Sequence, residues 1–176
     1  MAGRTNRKQE ILDATRELAR QRGYHGFSIR DVAEAVGVRG AAIHYHFDGK
    51  AALGAAVTHQ YTADFLDSLG DPTDEAALDR VVAGFRTALY ETNAICLCGV
   101  LASEINALPQ PVALETRAFF DALRTWVGVA LETRGLPAAR ATAIVALLEG
   151  AMLVAKGTDD LADFDLAVTE ASPLWR

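Results

Sequence analysis

Residues 28–47, SIRDVAEAVGVRGAAIHYHF, decide the fold of this chain. Ser28 suits a helix start, and Asp31 three residues later can return a hydrogen bond to the Ser28 backbone, as in a capping box. Val32, Ala33 and Val36 then recur at helical spacing. Gly37 sits where that helix must stop with a positive φ. Ile43 and Phe47, four residues apart, give the next helix its buried edge. Ala33 is small enough for two helices to approach, Gly37 turns the corner, and Ile43 anchors the second helix. This pattern predicts a helix-turn-helix. Its outer face carries Arg39, Gly40, Ala41, His44 and Tyr45, where a major groove would lie.

The stretch extends on both sides into a longer pattern. EILDATRELARQRGYHGFSIRDVAEAVGV precedes the cluster HYHF, and Lys50 and Leu53 follow. Residues 5–57 thus resemble the DNA-binding head of the tetracycline-repressor (TetR/AcrR) family of bacterial regulators. The resemblance implies an all-α homodimer with a three-helix head and a larger ligand-binding body. The rest of the chain matches only in length and helical character. One departure concerns the recognition helix. The family usually opens it with Ser or Thr, often followed by Lys, and here Arg39 and Gly40 stand there.

Charge is distributed as such a head requires. The chain carries a net charge of −6, which excludes a uniformly basic DNA-coating protein. Residues 1–50 hold nine Lys/Arg against six Asp/Glu, and the remainder eight against seventeen. A basic head on an acidic body presents one end to phosphates. Of the residues, 51% are hydrophobic, enough for a core. The longest apolar stretch, Ala143–Ala155, is interrupted by Glu149 and Gly150, so it reads as a buried helix and not a membrane span. The start of the chain is polar, with Arg4, Asn6, Arg7, Lys8 and Gln9, and lacks the apolar core of a signal peptide. A cytoplasmic location with no membrane partner is expected.

About nine helices are expected. The first runs from about Thr5 to Arg22, stopped by Gly23, and the second and third form the motif. The fourth starts at Gly49, after Asp48, and ends near Leu69. GDPT at 70–73 is a turn. Helices follow at about 74–92, within 94–108, at 112–134 after Pro109 and Pro111, from Pro137 to a stop at Gly157, and at 160–171. No stretch alternates as a strand does. The expected division is a head at 1–50, extending through the fourth helix to about 64, and a body at 51–176.

Several residues are candidates for DNA contact. Arg39 has the fork that matches guanine O6 and N7. Gly40 and Ala41 leave a smooth surface that admits close approach. The resemblance places His44 and Tyr45 toward DNA. His46 is a further candidate, though it and Phe47 can equally pack on the first helix. Lys50 opens the fourth helix, where an ammonium can meet a phosphate, or it is simply solvated. The Ser28 hydroxyl can cap its helix or donate to a phosphate. His44 and His46 stand two apart on a helix and point apart, so no metal site and no cofactor are expected.

The body offers weaker signals. Cys96 and Cys98 share one tripeptide, which suits core packing, a redox or electrophile sensor, or a metal site shared across a dimer. With Phe85, Leu89, Leu101, Glu104, Phe119, Phe120 and Trp126 they are candidates to line a cavity for a small molecule. Core filling explains the apolar ones as well. Residues 141–155, ATAIVALLEGAMLVA, are apolar on more than one face. Ala143, Ala146, Leu147, Gly150, Ala151 and Val154 form the candidate dimer seam, with a central core helix as the alternative.

These features point to a repressor whose dimer binds a palindromic operator in double-stranded DNA and is released by a small-molecule inducer. A thiol-switched repressor using Cys96 and Cys98 is the alternative, and a helical interaction module without DNA binding a remote one. No nucleophile-base pair or glycine-rich phosphate loop suggests an enzyme.

Overall fold

The computed structural model describes residues 2–176; the side chains of residues 2–6, Arg4 and Asn6 among them, and of Thr92 lie outside the description. In chain order the helices are α1 (Ala2–Arg22), α2 (Ile29–Val36), α3 (Gly40–His46), α4 (Gly49–Leu69), α5 (Ala77–Thr92), α6 (Leu97–Ser103), α7 (Gln110–Thr133), α8 (Arg140–Thr158) and α9 (Ala162–Glu170). A short 3-10 turn, Ser172–Leu174, follows, and there is no strand among the described residues. The all-α expectation holds.

The chain packs as two compact units. The first comprises the residues up to Thr62 together with Leu97–Phe119, and the second Ala63–Cys96 and Phe120–Arg176. The core of the first unit joins Ile11, Leu12, Val32, Ala33, Ile43, Phe47, Leu53 and Val57 to Leu97, Leu101, Leu108 and Val112. Each aliphatic side chain removed from water in this way contributes roughly 1.5–3 kcal/mol. A boundary at 50 or 64 leaves out the segment from Leu97 onward, because nothing local marks its partners as lying at the start of the chain.

The helix-turn-helix forms as its residues dictate. Asp31 N–H donates to Ser28 Oγ, and Ser28 N–H donates to Asp31 Oδ2, so both halves of the capping box are present. Gly37 closes α2 at φ 71°. There Gly37 N–H reaches Glu34 O and Val38 N–H reaches Ala33 O, the paired bonds of a Schellman stop. Arg39 precedes α3 in extended conformation without a side-chain cap.

In the second unit, Arg80 gathers the turn after α4. It donates to Leu69 O at 2.6 Å, to Asp71 O at 2.6 Å and to Asp74 Oδ2 at 3.0 Å. Residues 72–76 therefore remain a turn, and α5 starts at Ala77 instead of Asp74. Two proline and glycine signals also mislead. Pro111 lies in the first turn of α7, where a missing N–H costs nothing. Gly157 lies within α8, which stops at Asp159 with φ 58°. Aspartate tolerates that left-handed conformation better than most side chains.

Candidate nucleic-acid interface

The recognition helix α3 buries one residue, Ile43, and turns the rest outward or half outward. Arg39, Ala41, His44 and Tyr45 are exposed, Tyr45 by 63%. Among the described residues Arg39 has no ion-pair partner, whereas Arg30 on α2 is paired with Glu34 at 2.8 Å. The Tyr45 ring meets His46 edge-on at 5.1 Å, and His46, half-buried, lies 6.3 Å from Phe47. Lys8 of α1 stands 5.7 Å from the Phe47 ring. An exposed aromatic and an exposed guanidinium beside a bare Gly40–Ala41 step suit hydrogen bonding and close contact with base edges.

Two candidates are placed less simply. The Ser28 hydroxyl donates its hydrogen to Asp31 Oδ2 at 2.5 Å, so donation to a phosphate requires that bond to be given up. These bonds hold Asp31 below the usual carboxylate pKa. Lys50 is half-buried. Its Nζ donates to Phe27 O at 2.5 Å and sits 4.4 Å from the centres of both the Tyr24 and Phe27 rings. Burial there lowers its pKa, and the negative charges of Glu104 and Asp31 act in the opposite direction. Lysine has three donors, so a phosphate contact remains open to it.

The body candidates divide between the units. Cys98, Leu101, Glu104 and Phe119 belong to the first, and Phe85, Leu89, Cys96, Phe120 and Trp126 to the second. Phe85, Leu89, Leu101 and Phe119 are buried, and Trp126 Nε1 donates to Gly70 O at 3.1 Å. Both thiols are buried. A sensing cysteine needs access to its oxidant, so the thiol-switch reading is not favoured. Glu104 turns its carboxylate to the backbone of Tyr24. A surface hollow of about 520 Å³ in the second unit is lined by other residues, among them Asp121, Arg124, Gly128 and Thr142.

On α8 the outward residues include Ala143, Ala146 and Val154, with Leu147 and Gly150 half-buried. Ala151 does not belong to the seam: it is buried with Ile144, Val145, Leu148, Met152 and Ala155 on the face that α8 turns into its own unit. The open face instead gains Leu153 (51% exposed) beside Val154 (54%), and on α9 Leu166 is 61% exposed. Sequence reading missed Leu153 and Leu166, although Leu153 stands three residues after Gly150 on the same stripe. It also missed Glu149, whose Oε1 is buried without a hydrogen-bond partner. Burial, reinforced by the neighbouring Cys96, pushes its pKa up to about 10.

The fold and the exposed face of α3 define a helix-turn-helix DNA-binding protein. The comparisons with known proteins agree. The family described as bacterial regulatory proteins, tetR family, matches residues 11–57, and the family described as transcriptional regulator LmrA/YxaF-like, C-terminal domain, matches residues 75–170. The HTH-type transcriptional repressor DhaR of Mycobacterium sp. is 25% identical over 67% of this chain and 62% of its own length. An uncharacterized HTH-type regulator of Lactococcus lactis is 28% identical over 93% of this chain and 92% of its own. Among solved structures, a TetR-family regulator from Agrobacterium tumefaciens superposes with a TM-score of 0.82 at 30% identity, covering 95% of this chain and 96% of that one. A TetR regulator from Legionella pneumophila gives 0.87 at 28% identity, covering 96% and 97%. The chain belongs to the TetR family of DNA-binding transcriptional regulators.

Proposed function

We propose that the protein acts in the cytoplasm as a homodimer on an operator of two inverted half-sites, and that a small, largely apolar molecule bound by the helical body releases it. The observation that carries the DNA half is the outer face of α3, with Arg39 exposed and without an ion-pair partner among the described residues, and Tyr45 exposed. Arg39, Gly40, Ala41, His44, Tyr45 and His46 are its groove-facing residues. Lys50 supplies a phosphate contact, with Ser28 chiefly a cap. The dimer half rests on the exposed aliphatic pair Leu153 and Val154 of α8, since exposed apolar patches mark association surfaces. A two-fold protein then reads a two-fold site. The ligand must bind the DNA-incompetent state more tightly than the competent one.

The test selects a binding site for the purified protein from a random DNA library. A dimer-sized complex on an inverted repeat, with affinity falling steeply with salt, is expected. A monomer bound to a single half-site overturns the dimer reading, and no enrichment of any sequence overturns the docking of α3.

A further inference from the structure

The turn after α6 meets the chain just past the end of α1. Glu104 Oε2 accepts from Tyr24 N–H at 2.8 Å, across 80 residues of sequence. Gly23 ends α1 at φ 73°, with its N–H bonded to Ala19 O at 2.9 Å. The next donor, Tyr24 N–H, would ordinarily return to a carbonyl of the same helix. Here a carboxylate takes it. The other oxygen lies over Gly23 so closely that a Cβ there would stand 2.1 Å from Glu104 Oε1. Three residues on, Ala107 O lies 3.2 Å from His25 Nε2. Residues 23–25 are thus held twice by the segment 104–107.

That turn carries the Tyr24 side of the cage around Lys50. The ammonium lies 4.4 Å from the Tyr24 and Phe27 ring centres and donates to Phe27 O. Ser28, the cap of α2, follows directly. Displacing Tyr24 removes one wall of the cage and frees a flexible side chain whose charge is useful only if it is aimed.

We infer that Glu104 is a positioning residue for operator binding: its grip on the Gly23–Tyr24 backbone holds the aromatic cage that aims Lys50 at a phosphate. This rests on the Lys50 phosphate contact proposed above. Glu104 touches no DNA itself, and its acceptor oxygen is the feature that matters.

The experiment measures the affinity of the full-length protein for its selected operator across a salt series, with circular dichroism confirming that each variant is folded. Glu104→Ala should bind about tenfold more weakly, the size expected when one hydrogen bond between charged groups, Lys50 to phosphate, is lost. Its salt slope should fall by about 0.9, one phosphate contact. Glu104→Met, which keeps the bulk without the acceptor, should do the same and serves if the alanine variant does not fold. Glu104→Gln, whose amide oxygen can still accept from Tyr24, should stay within about twofold of wild type. Lys50→Ala combined with Glu104→Ala should be no weaker than Lys50→Ala alone, because both remove one contact. Wild-type affinity in both the alanine and methionine variants overturns the inference. So does a glutamine variant as weak as alanine, or losses that multiply in the double variant. If Lys50→Ala alone leaves affinity and salt slope unchanged, the phosphate contact itself fails. If Lys50→Ala weakens binding and Glu104→Ala does not, only the positioning role fails.

Discussion

Helices α3 and α8 both leave part of their surface uncovered, and they do so with different side chains. Helix α3 has seven residues, buries Ile43, and shows solvent an imidazole and a phenol. Helix α8 has nineteen residues, buries seven of them, and still leaves Leu153 and Val154 more than half exposed. A face of donors beside the exposed Arg39 guanidinium suits a polyanion with hydrogen-bonding edges. An aliphatic face offers no hydrogen bond and suits only another apolar surface. The same chain thus carries two unsatisfied faces, and their chemistry separates nucleic acid from protein as partner.

The largest expected effect breaks the α8 side of this contrast. In the proposed dimer, Leu153→Asp would place a charge on the aliphatic face of both protomers, each losing roughly 1.5–3 kcal/mol of apolar burial before the desolvation of the carboxylate is counted. Sedimentation at micromolar concentration should shift from dimer to monomer. A variant that stays dimeric shows that α8 pairs with nothing through Leu153.

Next comes the buried acid on the same helix. Glu149 has a folded pKa of about 10 against an ordinary value of 4.5. The folded state therefore holds a proton that the unfolded state releases between these values. Its contribution to stability is complete below pH 4.5 and is lost as pH rises toward 10, by at most about 1.4 kcal/mol per pH unit. Urea melts of wild type and Glu149→Gln should converge near pH 5 and separate at pH 9, with the glutamine variant the more stable. Parallel curves would show that Glu149 is ionised in the folded protein.

The α3 side should respond more modestly and only in DNA binding. Arg39→Ala should cost about 1–3 kcal/mol of operator affinity and relax the preference at one base pair, without changing the melting temperature. Equal loss on every sequence would demote Arg39 to a backbone contact. The smallest effect concerns the cap that sets the motif. Ser28→Ala should destabilise the protein by about 1 kcal/mol in urea melts. A large loss of DNA affinity with unchanged stability would make Ser28 a phosphate donor instead.

What was legible in the sequence was local. The Ser28–Asp31 box, the left-handed Gly37 and the Ile43 anchor depend on residues a few positions apart, and they stand in the structure as the spacing predicts. The stop of α8 is less readable, because Asp159 takes a positive φ two residues after Gly157, the glycine expected to end the helix. The partners of Glu104 and Lys50 were invisible for another reason. A carboxylate bonded to a backbone N–H 80 residues away has no signature in either neighbourhood. Ala151 was misassigned since small residues on a helix mark close approach without saying whether to a partner or to the helix's own unit.

The helix-turn-helix is commonly handled as a detachable cassette, cut from one regulator and joined to another to exchange operator preference. Here Leu97, Leu101, Leu108 and Val112 supply part of the core around Ile11, Ile43 and Leu53. A cassette ending at residue 62 would leave that hydrophobic surface unfilled. A transplant that keeps its operator preference has to carry residues 97–119 with it, so the unit of exchange is two pieces of chain and not one.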